Sequence, residues 1–172
     1  IHEVLNYRKA MGHAVERLKD LPLCQRLIRE AHGILMEGVR GQGKAPGEYR
    51  KIPNWIGPPG TPIEKATYVP ISSEKLPAAM GRWERFIHET APDKLVQLAM
   101  LHAKFEALHP FLDGNGRLGR LLVTLLLIEW ELISQPLLNL SAFFEMHRLD
   151  YYDRLLAISQ RGEWNNWLTF FL

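Results

Sequence analysis

The sequence has a single cysteine, Cys24, among its 172 residues. One cysteine excludes an intrachain disulfide and a cysteine-built zinc site. It favours a reducing, cytoplasmic setting, although a secreted protein without disulfides stays open. Long apolar runs are also lacking, because the most apolar stretch, residues 121–128, is far shorter than the roughly 20 residues that span a bilayer. Lys plus Arg number 21 against 19 Asp plus Glu, and a net charge of +2 gives no basis for nucleic-acid binding. We therefore expect neither a membrane nor a nucleic acid as a direct partner.

What remains is the composition of a folded globular protein. Hydrophobic residues make up 47% and charged residues 23%, which excludes disorder over most of the length. A chain of this size predicts one domain over residues 1–172, since domains commonly hold about 100–200 residues. The chain begins at Ile1 instead of methionine, which suggests a fragment of a longer protein.

Helical periodicity dominates the sequence. Apolar residues recur at threes and fours, which predicts an all-α fold, a helical bundle. We expect Ser72 or Ser73 to cap the third helix and Ser141 to cap a later one. The helix over 117–133 should be central, because leucines cover more than one of its sides. The expected helices cover these segments: 2–19, 22–38, 73–89, 93–109, 117–133, one from Ser141, 151–160 and 163–172.

Prolines and glycines interrupt the helices between residues 41 and 70. Short β-prone pieces, 54–56 and 67–69, flank residues 57–61. This pattern predicts an irregular loop that carries a small β-hairpin over about 54–70.

One segment, His109 to Arg120, combines residues that suit phosphate chemistry. Its loop precedes the predicted central helix, where backbone N–H groups lack partners and the helix dipole is positive. Gly114 and Gly116 let a ligand approach the backbone closely, which makes an anion site suited to phosphates. Arg117 and Arg120 lie three residues apart, on one face of the helix, and extend the positive field.

Two further side chains complete a reactive set in this segment. Asp113 offers a hard oxygen ligand beside the anion site, which suits Mg²⁺ shared with phosphate oxygens. His109 has an ordinary pKa of roughly 6.5, so it can accept a proton near neutral pH as a general base. Taken singly, each residue has a structural alternative: a packed or capping histidine, a turn, and solvated arginines. Together they favour transfer of a phosphorus group from a nucleoside triphosphate to a hydroxyl.

At these residues the sequence resembles the Fic (filamentation induced by cAMP) family. The family's motif, H-P-F-x-[D/E]-G-N-G-R-x-x-R, is matched at all nine fixed positions from His109 to Arg120. The resemblance extends to 47–50, 68–70, Tyr151-Tyr152 and 164–172. It implies a Fic-like helical bundle that transfers AMP from Mg-ATP to a Ser, Thr or Tyr hydroxyl of a target protein or of itself, releasing pyrophosphate.

The resemblance also implies a role for each residue of the motif. His109 would deprotonate the target hydroxyl, Asp113 would hold Mg²⁺, and Phe111 would anchor the loop in the core. Asn115 would help to position the α-phosphate, between two glycines whose backbone cradles the phosphates, and the arginines would bind the outer ones. The nucleotide-binding positions are Gly114, Asn115, Gly116, Arg117 and Arg120.

The same resemblance bears on three further features: a pair of tyrosines, the hairpin and one histidine. Tyr151 and Tyr152 match residues that line the adenine pocket in some members, with core packing as the alternative. The hairpin would be the family's flap, along which the target protein docks by strand pairing, with a plain surface hairpin as the alternative. His102 fits a recurring position but lies on an apolar face, so we interpret it as structural.

Many Fic proteins carry an inhibitory helix, [S/T]-x-x-x-E-[G/N], whose glutamate pairs with the second arginine of the motif. No segment of this chain matches it, because 141–146 and 159–164 both fail at the last position. Residues 1–10 resemble the stretch that follows an N-terminal inhibitory helix in one subgroup. We therefore expect this helix in the upstream sequence or in a partner, and an unpaired Arg120 here.

Alternatives to AMP transfer remain at this stage. Within the family they are another nucleotide donor, a phosphate or phosphocholine donor, and removal of AMP from a target. Outside enzymology, the alternative is a non-catalytic module that binds a nucleotide or a protein partner. The intact His109, Asp113 and Arg120 count against it, because such a module has no need for a base.

Overall fold

The computed structural model describes all residues, 1–172, and eight α-helices account for most of them. A single 3₁₀ turn, Ile63–Lys65, lies in the long segment between α2 and α3. No helix combines the length and the apolar character needed to cross a bilayer. The helices are α1 (His2–Arg17), α2 (Gln25–Leu35), α3 (Leu76–Ile87), α4 (Lys94–Leu108), α5 (Asn115–Glu129), α6 (Leu140–Met146), α7 (Arg148–Arg161) and α8 (Trp164–Phe171).

Helix α4 begins and ends where the sequence predicts. The Asp93 side chain accepts hydrogen bonds from the N–H groups of Leu95 (2.8 Å) and Val96 (3.1 Å), so it caps the helix. The helix stops at His109, which adopts a left-handed conformation with φ of 46° just before Pro110. Proline has no N–H to continue the helix, and the left-handed residue turns the chain toward α5.

The predicted serine caps were wrong. Helix α3 begins after Lys75 with a proline in its first turn, and Ser73 donates instead to the carbonyl of Lys51 at 3.1 Å. Helix α6 is capped by Asn139, whose side chain accepts from the N–H of Ala142 at 3.3 Å. Ser141 lies inside α6, so its hydroxyl is available to another partner.

Helix α5 is central, as predicted. It packs against α1, α2 and α4, and leucines on more than one of its sides are buried. Together with apolar residues of α1 to α4 they form the larger hydrophobic cluster of the molecule. The loop before α5 is therefore anchored on a helix that has little freedom to move.

A smaller, aromatic cluster lies on another side of α4. Trp167 of α8 is fully buried and donates its indole N–H to the carbonyl of Ala99 at 2.9 Å. Phe144 of α6 and Tyr151 of α7 pack in the same cluster, beside Ala103. Helix α4 thus contacts both clusters.

The predicted β-hairpin is not formed. Residues 54–70 contain one isolated antiparallel bridge, in which Ile56 donates to the carbonyl of Tyr68 at 2.9 Å and accepts from Thr67 at 2.8 Å. Pro58, Pro59 and Pro62 have no N–H to extend this pairing. The segment is therefore an irregular loop closed by one bridge.

Candidate active site

The segment from His109 to Gly114 connects the end of α4 to the start of α5. Gly114 has φ of 81° and precedes the first residue of α5, Asn115. The first N–H groups of a helix have no intrahelical acceptors, so they face outward from this point. The connection therefore places the positive end of the central helix beside His109.

Asn115 fixes the shape of this loop from inside. Its side-chain Oδ1 accepts from the N–H of Phe111 at 2.9 Å, and its Nδ2 donates to the Phe111 carbonyl at 2.7 Å. The Phe111 ring is fully buried, as expected of an anchor. The Asn115 side chain is thus occupied within the loop, and its backbone N–H is what it can offer to a phosphate.

His32 of α2 supports the loop, a role that the sequence did not indicate. Its ring stacks on Phe111 with centroids 3.8 Å apart. Nδ1 accepts from the N–H of Gly47 at 2.8 Å, so Nε2 carries the proton and donates to the carbonyl of Asp113, also at 2.8 Å. Burial lowers the pKa of His32, which keeps the ring neutral in this role.

Arg50 binds the backbone at the end of α4. Its buried guanidinium donates to the carbonyls of His109 (2.9 Å), Leu108 (3.1 Å) and Ile71 (2.6 Å). Asn54 adds a donor to the His109 carbonyl at 3.2 Å. These bonds satisfy terminal carbonyls of the helix and fix the backbone of His109.

The His109 side chain is neutral at physiological pH. Its Nδ1 atom is buried without a hydrogen-bond partner. Burial lowers the pKa of His109 to about 4, because the charged imidazolium loses hydration. The ring can therefore accept a proton at pH 7, as a general base must.

The Asp113 carboxylate lies on the other side of the loop. Its Oδ1 accepts from the N–H of Gly114 at 2.7 Å, and its Oδ2 is 3.6 Å from Nζ of Lys44. No group of three or more His, Cys, Asp or Glu side chains forms a metal cage in the molecule. One carboxylate beside an anion site does fit Mg²⁺, which usually takes one or two carboxylates and shares substrate phosphates.

Met36 and Asp113 occupy the space that side chains at Gly41 and Gly114 would take. A Cβ on Gly114 would lie 2.7 Å from Sδ of Met36. A Cβ on Gly41 would lie 2.5 Å from Cε of Met36 and 2.8 Å from Oδ2 of Asp113. Both glycines also have positive φ, which disfavours other residues.

The two arginines of the motif have different surroundings. Arg117 is 3.4 Å from Oε1 of Glu3 and donates to Sδ of Met36 at 3.3 Å. Arg120 donates its Nε to Oγ of Ser141 at 3.0 Å and forms no ion pair with a carboxylate. The positive charge of Arg120 is therefore not neutralised by an ion pair.

Arg120 lines a cleft of about 530 Å³ together with the start of α6 and of α7. Tyr151 and Tyr152 both line it, but Tyr151 is buried whereas Tyr152 is half exposed. The remaining lining residues are Asn139, Ser141, Ala142, Phe144, Glu145 and Arg148. The structure thus brings both tyrosines to the same cleft as Arg120.

His102 supports Tyr151 from within the core. Its Nδ1 donates to the carbonyl of Gly119 at 3.3 Å, so its Nε2 accepts from the Tyr151 hydroxyl at 2.8 Å. Burial lowers the pKa of His102 to about 3, and the ring stays neutral. These contacts agree with the structural role expected for His102.

Comparisons with known proteins agree with this architecture. The sequence profile of the Fic/DOC family matches residues 22–127. Over 86 residues, 48% of this chain, the identity to the protein adenylyltransferase Fic of Drosophila ananassae is 33%, and the match covers 16% of that protein. Over 52 residues, 30% of this chain, the identity to a probable protein adenylyltransferase of Aquifex aeolicus (strain VF5) is 38%, again covering 16% of that protein.

The fold is also found among solved structures. A Fic family protein from Desulfovibrio desulfuricans G20 has a TM-score of 0.79 to this chain at 23% identity. The superposition covers 99% of this chain and 50% of the other. The chain thus corresponds to a part of longer relatives.

Proposed function

This chain belongs to the Fic/DOC family, and from that premise we propose that it is a protein adenylyltransferase. The substrate is Mg-ATP, the acceptor is a Ser, Thr or Tyr hydroxyl of a target protein or of the chain itself, and pyrophosphate leaves. The protein adenylyltransferases among its relatives support the donor and the reaction.

The observation that carries the proposal is a neutral His109 fixed beside the N-terminus of α5. Arg50 and Asn54 donate to its carbonyl, so hydrogen bonds fix the backbone that carries the imidazole. In the reaction, His109 accepts the proton of the target hydroxyl, and that oxygen attacks the α-phosphorus. The bond from the α-phosphorus to the oxygen that bridges to the β-phosphate breaks, and this oxygen leaves on pyrophosphate.

The phosphates are bound by the start of α5. Backbone N–H groups from Gly114 to Gly116 donate to phosphate oxygens, which the helix dipole also favours. Asn115 contributes its backbone N–H there, while its side chain maintains the loop. Arg117 and Arg120 bind the outer phosphates.

Asp113 would hold Mg²⁺ together with the phosphate oxygens. The ion, when bound, neutralises phosphate charge as the pyrophosphate departs. Lys44, 3.6 Å from Oδ2 of Asp113, is a cation already paired with this carboxylate.

The adenine and the target segment of the acceptor protein each have a proposed binding place. The adenine binds in the cleft beside Arg120, which Tyr151 and Tyr152 line. The target segment docks along residues 54–70, which reach the site through the contact of Asn54 with the His109 carbonyl. In the inhibited state, the glutamate of an inhibitory helix from upstream or from a partner pairs with Arg120.

The test is AMP transfer by purified protein. Incubation with Mg-ATP should add the mass of AMP to the chain or to a lysate protein, and UTP, GTP and CDP-choline in parallel identify the donor. His109→Ala should abolish the transfer and retain ATP binding in calorimetry. His13→Ala is the matched control, because His13 pairs with Glu30 on α2 and should retain transfer. Transfer by the His109 variant would remove this residue from the role of base.

A further inference from the structure

Glu106 of α4 is a partly buried residue that has no role in the reaction described above. His102 and Glu106 lie four residues apart and share one face of α4, and His109 follows the last residue of this helix. His102 bonds to the carbonyl of Gly119 on α5, and Glu106 lies against the same glycine. A Cβ on Gly119 would overlap Oε1 of Glu106, so the close approach of the carboxyl requires glycine there.

One oxygen of the Glu106 carboxyl lacks what a buried carboxylate needs. Its Oε1 atom is buried without a hydrogen-bond partner. A buried ionised carboxyl is stable only when donors or cations surround it, so this group favours its protonated form. The only cation among the groups that face it is Arg120, the residue after Gly119.

The Arg120 side chain reaches both the cleft and the start of α5. Its Nε donates to Ser141, and its Nη1 lies beside Gly116, 3.3 Å from where a Cβ would stand. The guanidinium therefore lies beside the start of α5, where phosphates bind, and its charge also acts on a carboxyl that carries no ion pair. Both a phosphate and an ionised Glu106 would be stabilised by this one cation.

We propose that Glu106 is a proton-linked positioning residue for Arg120, so that nucleotide phosphates bind more tightly when Glu106 is protonated. An ionised Glu106 attracts the guanidinium and offsets its charge. A protonated Glu106 leaves that charge to the phosphates. Binding of the anionic nucleotide therefore draws a proton from the buffer onto the Glu106 carboxyl, and no other bond changes.

The electrostatic surroundings support this linkage. Burial raises the pKa of Glu106 to about 7, while the positive charge of Arg120 opposes the rise. The titratable and charged groups around Glu106 are Arg120 from α5, Tyr151 from α7, His102 on α4 itself and His109 directly after α4. Both histidines are neutral and Tyr151 is protonated near pH 7, so Arg120 is the one charged neighbour.

The inference rests on the proposed nucleotide site, and proton uptake on binding tests it. Calorimetry with Mg²⁺ and a non-hydrolysable ATP analogue, in two buffers of different ionisation enthalpy, measures the protons taken up. Because the pKa of Glu106 lies near 7, part of the population is ionised at pH 7, and we expect uptake of a measurable fraction of a proton per nucleotide at that pH. Glu106→Gln should abolish it, because an amide cannot titrate. Glu89→Gln, which alters an exposed carboxyl beyond the end of α3, should keep it.

Affinity gives a second measurement that needs no variant. In the unaltered protein, nucleotide affinity should fall by up to about tenfold between pH 7 and pH 8.5. Equal proton uptake in the unaltered protein and in Glu106→Gln, or an affinity that stays constant over this range, overturns the inference while the nucleotide site stands. A failure to bind nucleotide at any pH overturns the proposed function itself, and the inference with it.

Discussion

Burial has two opposed effects on His109 as a general base. Burial keeps it neutral, with a pKa of about 4, but the same burial makes it a weak base that must be positioned well. The neutral form is present above this pKa and is lost as the pH falls through it. We therefore expect the turnover number at saturating Mg-ATP to show no loss with a midpoint near 6.5 as the pH falls from 8 to 5.5. An acid limb centred near 6.5, in AMP transfer followed by mass spectrometry, would contradict this expectation.

The residues that position His109 show where prediction from sequence stops. His109, Asp113 and both arginines belong to one continuous motif, so their spacing alone indicates a phosphate site. His32 and Arg50 act on backbone carbonyls that lie 81 and 59 positions away in the sequence. The periodicity of apolar residues predicts single helices, and it does not predict contacts between residues that are far apart in the sequence.

At the scale of elements, the turn into α5 depends on Gly114. A side chain there would meet Sδ of Met36 and would also be held at a φ of 81°. We expect Gly114→Ala to weaken nucleotide binding and to lower the free energy of unfolding by more than the roughly 1–2 kcal/mol of left-handed strain alone.

Gly162 is a control that has the left-handed backbone strain without the crowding. It has φ of 66° at the end of α7, and a Cβ there meets nothing within 4 Å. Gly162→Ala should therefore lower the free energy of unfolding by about 1 kcal/mol and leave nucleotide binding unchanged. If chemical denaturation shows the same loss of unfolding free energy for both variants, crowding by Met36 has no effect.

Element boundaries were predictable only where a local signal has no competitor. Asp93 is the first residue of the helix predicted over 93–109, and in the structure it caps α4. Ser141 also precedes one, but Asn139 lies two residues earlier and takes the cap, which leaves the serine hydroxyl to Arg120. In residues 54–70 the β-prone pieces were identified, but prolines between them restrict pairing to a single bridge.

At the scale of the whole molecule, α4 lies between the two hydrophobic clusters, and the proposed site draws on both. The larger cluster fixes α5 and the loop that contains Asp113, whereas the aromatic cluster fixes Tyr151 in the cleft. Each cluster contains a tryptophan that is hydrogen-bonded to the backbone of α4. Trp83 and Trp167 each donate an indole N–H to a carbonyl of α4, at 2.9 Å in both cases.

These two tryptophans allow the contributions of the clusters to be separated. Trp167→Ala should cost about 3–5 kcal/mol, because it leaves a cavity in the aromatic cluster. Hydrogen exchange should then rise in α6 to α8, and nucleotide affinity should fall because Tyr151 loses its packing. Trp83→Ala has the same chemistry in the larger cluster, so it should raise exchange in α3 and leave the surroundings of Tyr151 protected. If both variants raise exchange uniformly along the chain, the two clusters unfold as one unit and the cleft has no stability of its own.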